Sequence, residues 1–137
     1  MAPSISNVFI LNPPNNEASI TFSEAVFQSD GTTPLTTTQL TLAITGGVAT
    51  LSSYTLTTSD NTNFNFDLVL IGVSDGTETL TLTGTVYNVS QESLLLNQTV
   101  PLTEKISPTA IITYDSAGPY KNGDTVVITA TFSEDMA

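Results

Sequence analysis

The sequence predicts an all-β chain: a two-sheet antiparallel sandwich over residues 1–105, followed by the first two strands of a second unit over 106–137. Three observations carry this reading. Threonine, at 25 of 137 positions, alternates with aliphatic residues at period two, the pattern of a pleated, half-buried surface and not of a helix. Turn-forming clusters separate these runs at a spacing of roughly 8–12 residues, as a Greek-key sandwich requires. A segment near the start also returns about one domain length later.

The expected strands are 5–11, 18–27, 38–45, 48–58, 63–72, 78–87, 94–103, 109–114 and 125–134. Ile20 and Phe22 share one face of the second; Leu40, Leu42 and Ile44 one face of the third; Leu80 and Leu82 one face of the sixth. In the last, Ile128, Ala130 and Phe132 repeat the pattern, and Phe22, Phe64, Phe66 and Phe132 are expected in the core. Asn12-Pro13-Pro14-Asn15-Asn16 divides the first two strands, and Gly46-Gly47 divides the third from the fourth. Ser29-Asp30-Gly31-Thr32 and Ser74-Asp75-Gly76-Thr77 are identical tetrapeptides whose Asp-Gly pairs suit tight hairpin turns, and Asn122-Gly123-Asp124 offers the same device. No segment has the apolar spacing of a helix.

The repeat sets the domain boundary. Ser19-Ile20-Thr21-Phe22-Ser23-Glu24-Ala25-Val26 returns as Ala130-Thr131-Phe132-Ser133-Glu134-Asp135-Met136, and upstream Ile5-Ser6-Asn7 finds an echo in Ile106-Ser107-Pro108. A period near 100 residues matches one sandwich domain, which places a short linker at Glu104-Lys105-Ile106-Ser107-Pro108, stiffened by its proline. Two strands cannot support a core alone. Residues 106–137 are therefore either the opening of a longer run of units or strands that complete a sheet in the first module or, by donation, in a neighbouring chain.

Composition removes several functions. Thirteen acidic residues against Lys105 and Lys121 give a net charge of −11, which repels phosphate backbones and argues against nucleic acid. Without Cys or His there is no thiolate nucleophile, disulfide, zinc site or imidazole relay. Cysteine-free composition fits a cytosolic protein and also an exported one folding without disulfides, so the redox compartment stays open. Met1-Ala2-Pro3 leads directly into strand-like sequence, with no basic, apolar leader and no long apolar run, so neither a signal peptide nor membrane insertion is expected.

These residues together resemble the bacterial Ig-like repeat modules of large surface adhesins and other tandem-repeat extracellular proteins. Asn122 to Met136, KNGDTVVITATFSEDM without its lysine, is similar to the "GDTVTITATFSE-M" segment of such repeats, and Ile106 to Tyr114 to their "SPT-hydrophobic" opening strand. Phe22-Ser23-Glu24-Ala25-Val26, Leu42-Ala43-Ile44-Thr45-Gly46-Gly47-Val48-Ala49 and Asp75-Gly76-Thr77-Glu78-Thr79-Leu80-Thr81-Leu82 follow the family's order. Where many repeats carry an "Asp-x-Ala-Gly-Asn" turn, this chain has Val86-Tyr87-Asn88-Val89-Ser90-Gln91-Glu92. The resemblance implies an Ig-like fold and a non-catalytic extender role at the cell surface or outside the cell, with neighbouring modules as partners. The alternatives are a filament, fibre or virion-surface subunit, homo-oligomeric through strand exchange, and a carbohydrate-binding module, which the absence of Trp disfavours.

Carboxylates carry what chemistry remains. Glu24, Asp30, Asp75, Asp115, Asp124, Glu134 and Asp135 fall in or beside predicted turns, and calcium takes six to eight oxygens of this kind. Glu24, Asp115, Glu134 and Asp135 are the candidate calcium ligands; the competing reading makes them turn formers and surface charge. Paired-carboxylate hydrolysis lacks a stacking platform, and the Ser and Thr hydroxyls lack a base, so an enzyme is not expected. Tyr114-Asp115-Ser116-Ala117-Gly118-Pro119-Tyr120 reads either as a recognition loop or as a spacer, and Tyr54 and Tyr87 as rim or core packing. Asn88-Val89-Ser90 and Asn97-Gln98-Thr99 match glycosylation acceptors.

Overall fold

In the computed structural model, which describes residues 1–58 and 60–134, nine strands and no helix are found among the described residues. They are β1 (Ile5–Asn12), β2 (Glu17–Phe22), β3 (Leu40–Thr45), β4 (Thr50–Thr58), β5 (Asn63–Ile71), β6 (Thr79–Tyr87), β7 (Ser93–Pro101), β8 (Ala110–Tyr114) and β9 (Ile128–Phe132). Contacts divide the chain into two compact units, Met1–Lys105 and Ile106–Ala137.

In the first unit every strand pair is antiparallel. One sheet has the order β1-β2-β5-β4 and the other β3-β6-β7, an all-β, sandwich-like arrangement. Period-two alternation sends one set of side chains inward from each sheet. From the first come Ala18, Ile20, Phe22, Phe64 and Phe66; from the second Leu40, Leu42, Leu80, Leu82, Val86 and Leu96, all in one buried cluster. Phe22 and Phe64 meet edge to face at 5.7 Å between ring centroids, a geometry aromatic quadrupoles favour. Tyr54 ties the sheets together: its hydroxyl donates to the Leu40 carbonyl at 3.2 Å while its ring lies 6.4 Å from Phe66.

Strand β2 is shorter than the sequence predicts. It stops at Phe22 because the next residues leave the β5 ladder: the Val26 amide turns to the Asn61 carbonyl, and Phe27 bridges Tyr87 of the other sheet. The chain thus crosses between sheets here, as it does after β3 and after β5. Both Asp-Gly tetrapeptides sit on such crossings and not in the hairpin turns expected of them. Each aspartate folds its carboxylate over the amide two residues on, Asp30 onto Thr32 at 3.0 Å and Asp75 onto Thr77 at 3.0 Å. At Gly84, opposite Leu40 in the ladder, an added Cβ would lie 2.0 Å from the Gln39 carbonyl oxygen, so only glycine lets β3 and β6 approach there.

The second unit is a single antiparallel hairpin, β8 with β9. Its start repeats the first unit in hydrogen-bonding detail. Ser4 donates its amide to the Ser23 hydroxyl at 3.1 Å and accepts from the Ser23 amide at 2.8 Å. Thr109 and Ser133 make the same two bonds, at 3.0 and 2.9 Å. Ile5 then faces Phe22 as Ala110 faces Phe132. This corrects the upstream echo: Ala110, not Ile106, holds the place of Ile5, and Thr109 that of Ser4, because ladder register and not a shared isoleucine fixes the equivalence. The core expectation for Phe132 is also corrected. Phe22 is 1% exposed and Phe132 50%, because a two-stranded unit offers no second layer to cover the ring.

Candidate functional site

Buried polar groups organise the two poles of the first unit. The turn between β1 and β2 places Asn15 at φ 72°, a left-handed conformation asparagine tolerates, and buries it to 2% exposure. Its side-chain amide donates to the Ser74 hydroxyl at 2.9 Å and to the Thr103 carbonyl at 2.6 Å; its oxygen accepts from the Thr103 amide at 2.9 Å. Ser74 in turn donates to the Thr103 carbonyl at 2.7 Å, and its own carbonyl accepts from Lys105 at 2.9 Å. One asparagine therefore joins the β1–β2 turn, the β5–β6 crossing and the segment after β7.

Glu78 completes this pole. Its carboxylate is buried without a cationic partner among the described residues, and backbone amides satisfy it: Val48 at 2.9 Å, Ala49 at 2.8 Å and Asp75 at 3.1 Å. These bonds, the Ala49 amide foremost, hold its pKa below the ordinary carboxylate range despite burial. Gly47, at φ 54°, leaves the space the carboxyl occupies: a Cβ there would lie 2.3 Å from Glu78 Cδ. The Glu78 carbonyl accepts from the Leu102 amide, so the segment 102–105 is bonded at Leu102, Thr103 and Lys105.

The opposite pole receives the start of the chain. Asn88, in the β6–β7 turn, is buried; it accepts from the amides of Ser90 and Glu92 and donates to the Met1 carbonyl at 2.8 Å and the Glu92 carboxylate at 3.1 Å. The Met1 amine pairs with Glu92 at 2.5 Å, which raises the amine's pKa and lowers that of the carboxylate. Since β1 runs from the Ser4–Ser23 pair to the Asn15 turn, residues 1–4 and 102–105 occupy opposite ends of the unit.

Within the second unit, the candidate calcium ligands Asp115 and Glu134 are not brought together. Glu24 lies beside Asn88 in the first unit, 3.4 Å from its amide nitrogen. Asp115 follows β8 at the loop end of the second-unit hairpin and Glu134 follows β9 at the other end, so a strand's length separates them. Asp135 lies outside the described residues. Among the described residues, no three acidic side chains approach closely enough to share a metal ion. The turn-former reading accounts for Asp30, held down to about 2 by the Thr33 hydroxyl and the amides of Thr33 and Thr32, and for Asp75, lowered by the Thr77 hydroxyl and amide.

The Tyr114–Tyr120 segment lies within the second unit. It belongs to the connection between β8 and β9, closed on itself by the Tyr120 hydroxyl donating to the Ser116 carbonyl. Of the two glycosylation sequons, Asn88 is consumed by internal bonds, while Asn97 stands exposed on β7. Sequence reasoning missed Asn15, Ser74 and Glu78. The signal for two of them was present: the Ser-Asp-Gly-Thr-Glu run carries a carboxylate three residues past an Asp-Gly turn, placed to reach back to that turn's amides. No family model, curated protein or solved structure matches this chain.

Proposed function

We propose that residues 1–105 are an Ig-like spacer module, and that the chain is a non-catalytic, extracellular or surface-exposed structural protein in which β8 and β9 repeat the opening hairpin of that module. The sheet orders β1-β2-β5-β4 and β3-β6-β7 support the Ig-like reading, because they are the A-B-E-D and C-F-G orders of an Ig constant-type sandwich. The single observation that carries the function is polar: the chain comes in beside Asn88 and leaves beside Asn15, at opposite ends of the unit. Units built this way join head to tail, each adding its length, and the bonds on Leu102, Thr103 and Lys105 hold the departing chain to the fold up to the linker. The net charge of −11 over the whole chain keeps such proteins apart in solution.

Removal of residues 106–137 tests this reading. A spacer module retains its unfolding midpoint and stays monomeric without them; loss of cooperative unfolding would overturn it. A second reading, assembly by strand donation, is favoured by the bare apolar face of β8 and β9, where Ile112 is 50% exposed, Ile128 61% and Phe132 50%. It requires the intact chain to polymerise and the shortened chain not to.

A further inference from the structure

Three Xaa-Gly pairs in this chain carry a carboxyl or carboxamide side chain before the glycine: Asp30-Gly31, Asp75-Gly76 and Asn122-Gly123. In such pairs the glycine nitrogen can attack the side-chain carbonyl carbon of the preceding residue, closing a five-membered succinimide. The reaction needs a free side chain, an accessible glycine nitrogen and room for the backbone to rotate. The structure treats the three pairs differently.

Asp30 is locked. Its carboxylate accepts from the amides of Thr32 and Thr33 and from the Thr33 hydroxyl, while the Gly31 amide donates to the Gln28 carbonyl at 2.9 Å. Gly31 is also packed, a Cβ there falling 2.9 Å from the Val89 carbonyl oxygen. Asp75 is held by the Thr77 amide at 3.0 Å and the Thr77 hydroxyl at 2.6 Å, and Gly76 lies against Glu104. Both side chains are ionised at neutral pH, and a carboxylate is a poor electrophile.

Asn122 has none of these restraints. It is exposed, and no described residue bonds to its side chain. Gly123 is exposed at φ 98°, has no atom within 4 Å of where a Cβ would sit, and its amide has no acceptor among the described residues. The surrounding turn is defined at its ends only, by Asp124 donating to the Lys121 carbonyl at 3.1 Å and accepting from the Lys121 amide at 2.7 Å.

We infer that Asn122-Gly123 is a site of spontaneous, backbone-assisted deamidation. The Gly123 nitrogen, giving its proton to hydroxide or a buffer base, bonds to Asn122 Cγ; the Cγ–Nδ2 bond breaks and ammonia leaves with a proton from solvent. Water then opens the succinimide at either carbonyl, leaving an aspartyl or isoaspartyl residue at position 122. No oxidant, metal or enzyme takes part. The product adds one carboxylate beside Asp124, in the β8–β9 connection.

Incubation of the full chain in mildly alkaline buffer tests this. Cleavage after Glu104 and Glu134 by a glutamyl endopeptidase, under acidic conditions that halt further reaction, isolates the Asn122 peptide for mass spectrometry and isoaspartyl methylation. The expected result is progressive conversion of an amide to an acid at position 122, with an isoaspartyl fraction, severalfold slower in Gly123→Ala and abolished in Asn122→Gln. Exposed Asn97, followed by Gln98, serves as the internal reference. Conversion at Asn122 no faster than at Asn97, an unchanged rate in Gly123→Ala, or isoaspartate forming in the folded chain as fast at Asp30 or Asp75 would overturn the inference.

Discussion

Replacing Phe22 and Phe132 by alanine, one at a time, gives the sharpest contrast this fold offers. The two residues hold the same place in the repeat, each following a Thr and preceding Ser-Glu, and each faces the first residue of the opening strand. Phe22 is 1% exposed and in edge-to-face contact with Phe64, whereas Phe132 is 50% exposed. Truncating a fully buried Phe costs about 3–5 kcal/mol, the lost transfer energy plus the cavity left behind. Truncating a half-exposed one outside a packed core falls within about 0.5 kcal/mol. With a urea dependence of about 1–3 kcal/mol per molar, Phe22→Ala moves the unfolding midpoint down by roughly 2 M and Phe132→Ala leaves it in place. Urea titration followed by far-UV circular dichroism and tyrosine emission reads both, Tyr54 reporting on the joint between the sheets. Phe22→Leu supplies an intermediate point if the alanine variant does not fold. Equal losses in the two variants would refute the reasoning, because they would place Phe132 in a core the hairpin does not have.

Further outcomes follow from the poles and the ladder. Asn15→Ala removes three hydrogen bonds that join separate segments and leaves the Thr103 amide unpaired; a loss of about 2–4 kcal/mol is expected, with faster hydrogen exchange at the amides of Thr103 and Lys105. Gly84→Ala drives a methyl group into the Gln39 carbonyl oxygen and is expected to lower the melting temperature more than alanine at any exposed β6 threonine, read by a thermal scan. Asp30, Asp75 and Glu78 all have folded pKa values below their unfolded ones, so the unfolded chain binds more protons in acid. The stability they contribute is complete above the ordinary value of 4.5 and drains away as pH falls towards about 2, which urea titrations across that range measure. Glu78→Gln is expected to flatten part of that acid limb while lowering stability at neutral pH, since the carboxamide nitrogen faces amide donors.

Much of this architecture is legible from alternation alone. Thr-Leu-Thr-Leu-Thr over 79–83 and Phe-Asn-Phe over 64–66 announce a strand and its inward face together, because side chains at period two cannot face one core in any other regular structure. Strand ends are less legible: β2 stops at Phe22 although Val26 and Phe27 continue the apolar pattern, because Val26 enters the core after the backbone has left the β5 ladder and Phe27 bridges Tyr87 of the other sheet. Local reading could not find the Asn15 site, whose bonds to Ser74 and Thr103 span 59 and 88 residues. Nor could it separate Phe22 from Phe132, since burial depends on what the rest of a unit supplies. The carboxylates at turns look alike in the sequence; hydrogen bonding shows Asp30 and Asp75 closing their own loops, and sets apart Glu78, which the turn pattern did not include, as the buried carboxylate that binds two loops together.

The spacer reading rests on the chain traversing the first unit from pole to pole, and small-angle scattering from proteins carrying one, two and three joined copies of residues 1–105 tests it most directly. The nine residues of β5 set a pole-to-pole length of about 30 Å. The account expects each added copy to extend the maximum dimension by about that amount or slightly more, with a rod-like cross-section retained. Growth of the radius of gyration as a compact body, rising roughly as the 0.38 power of chain length, would contradict it.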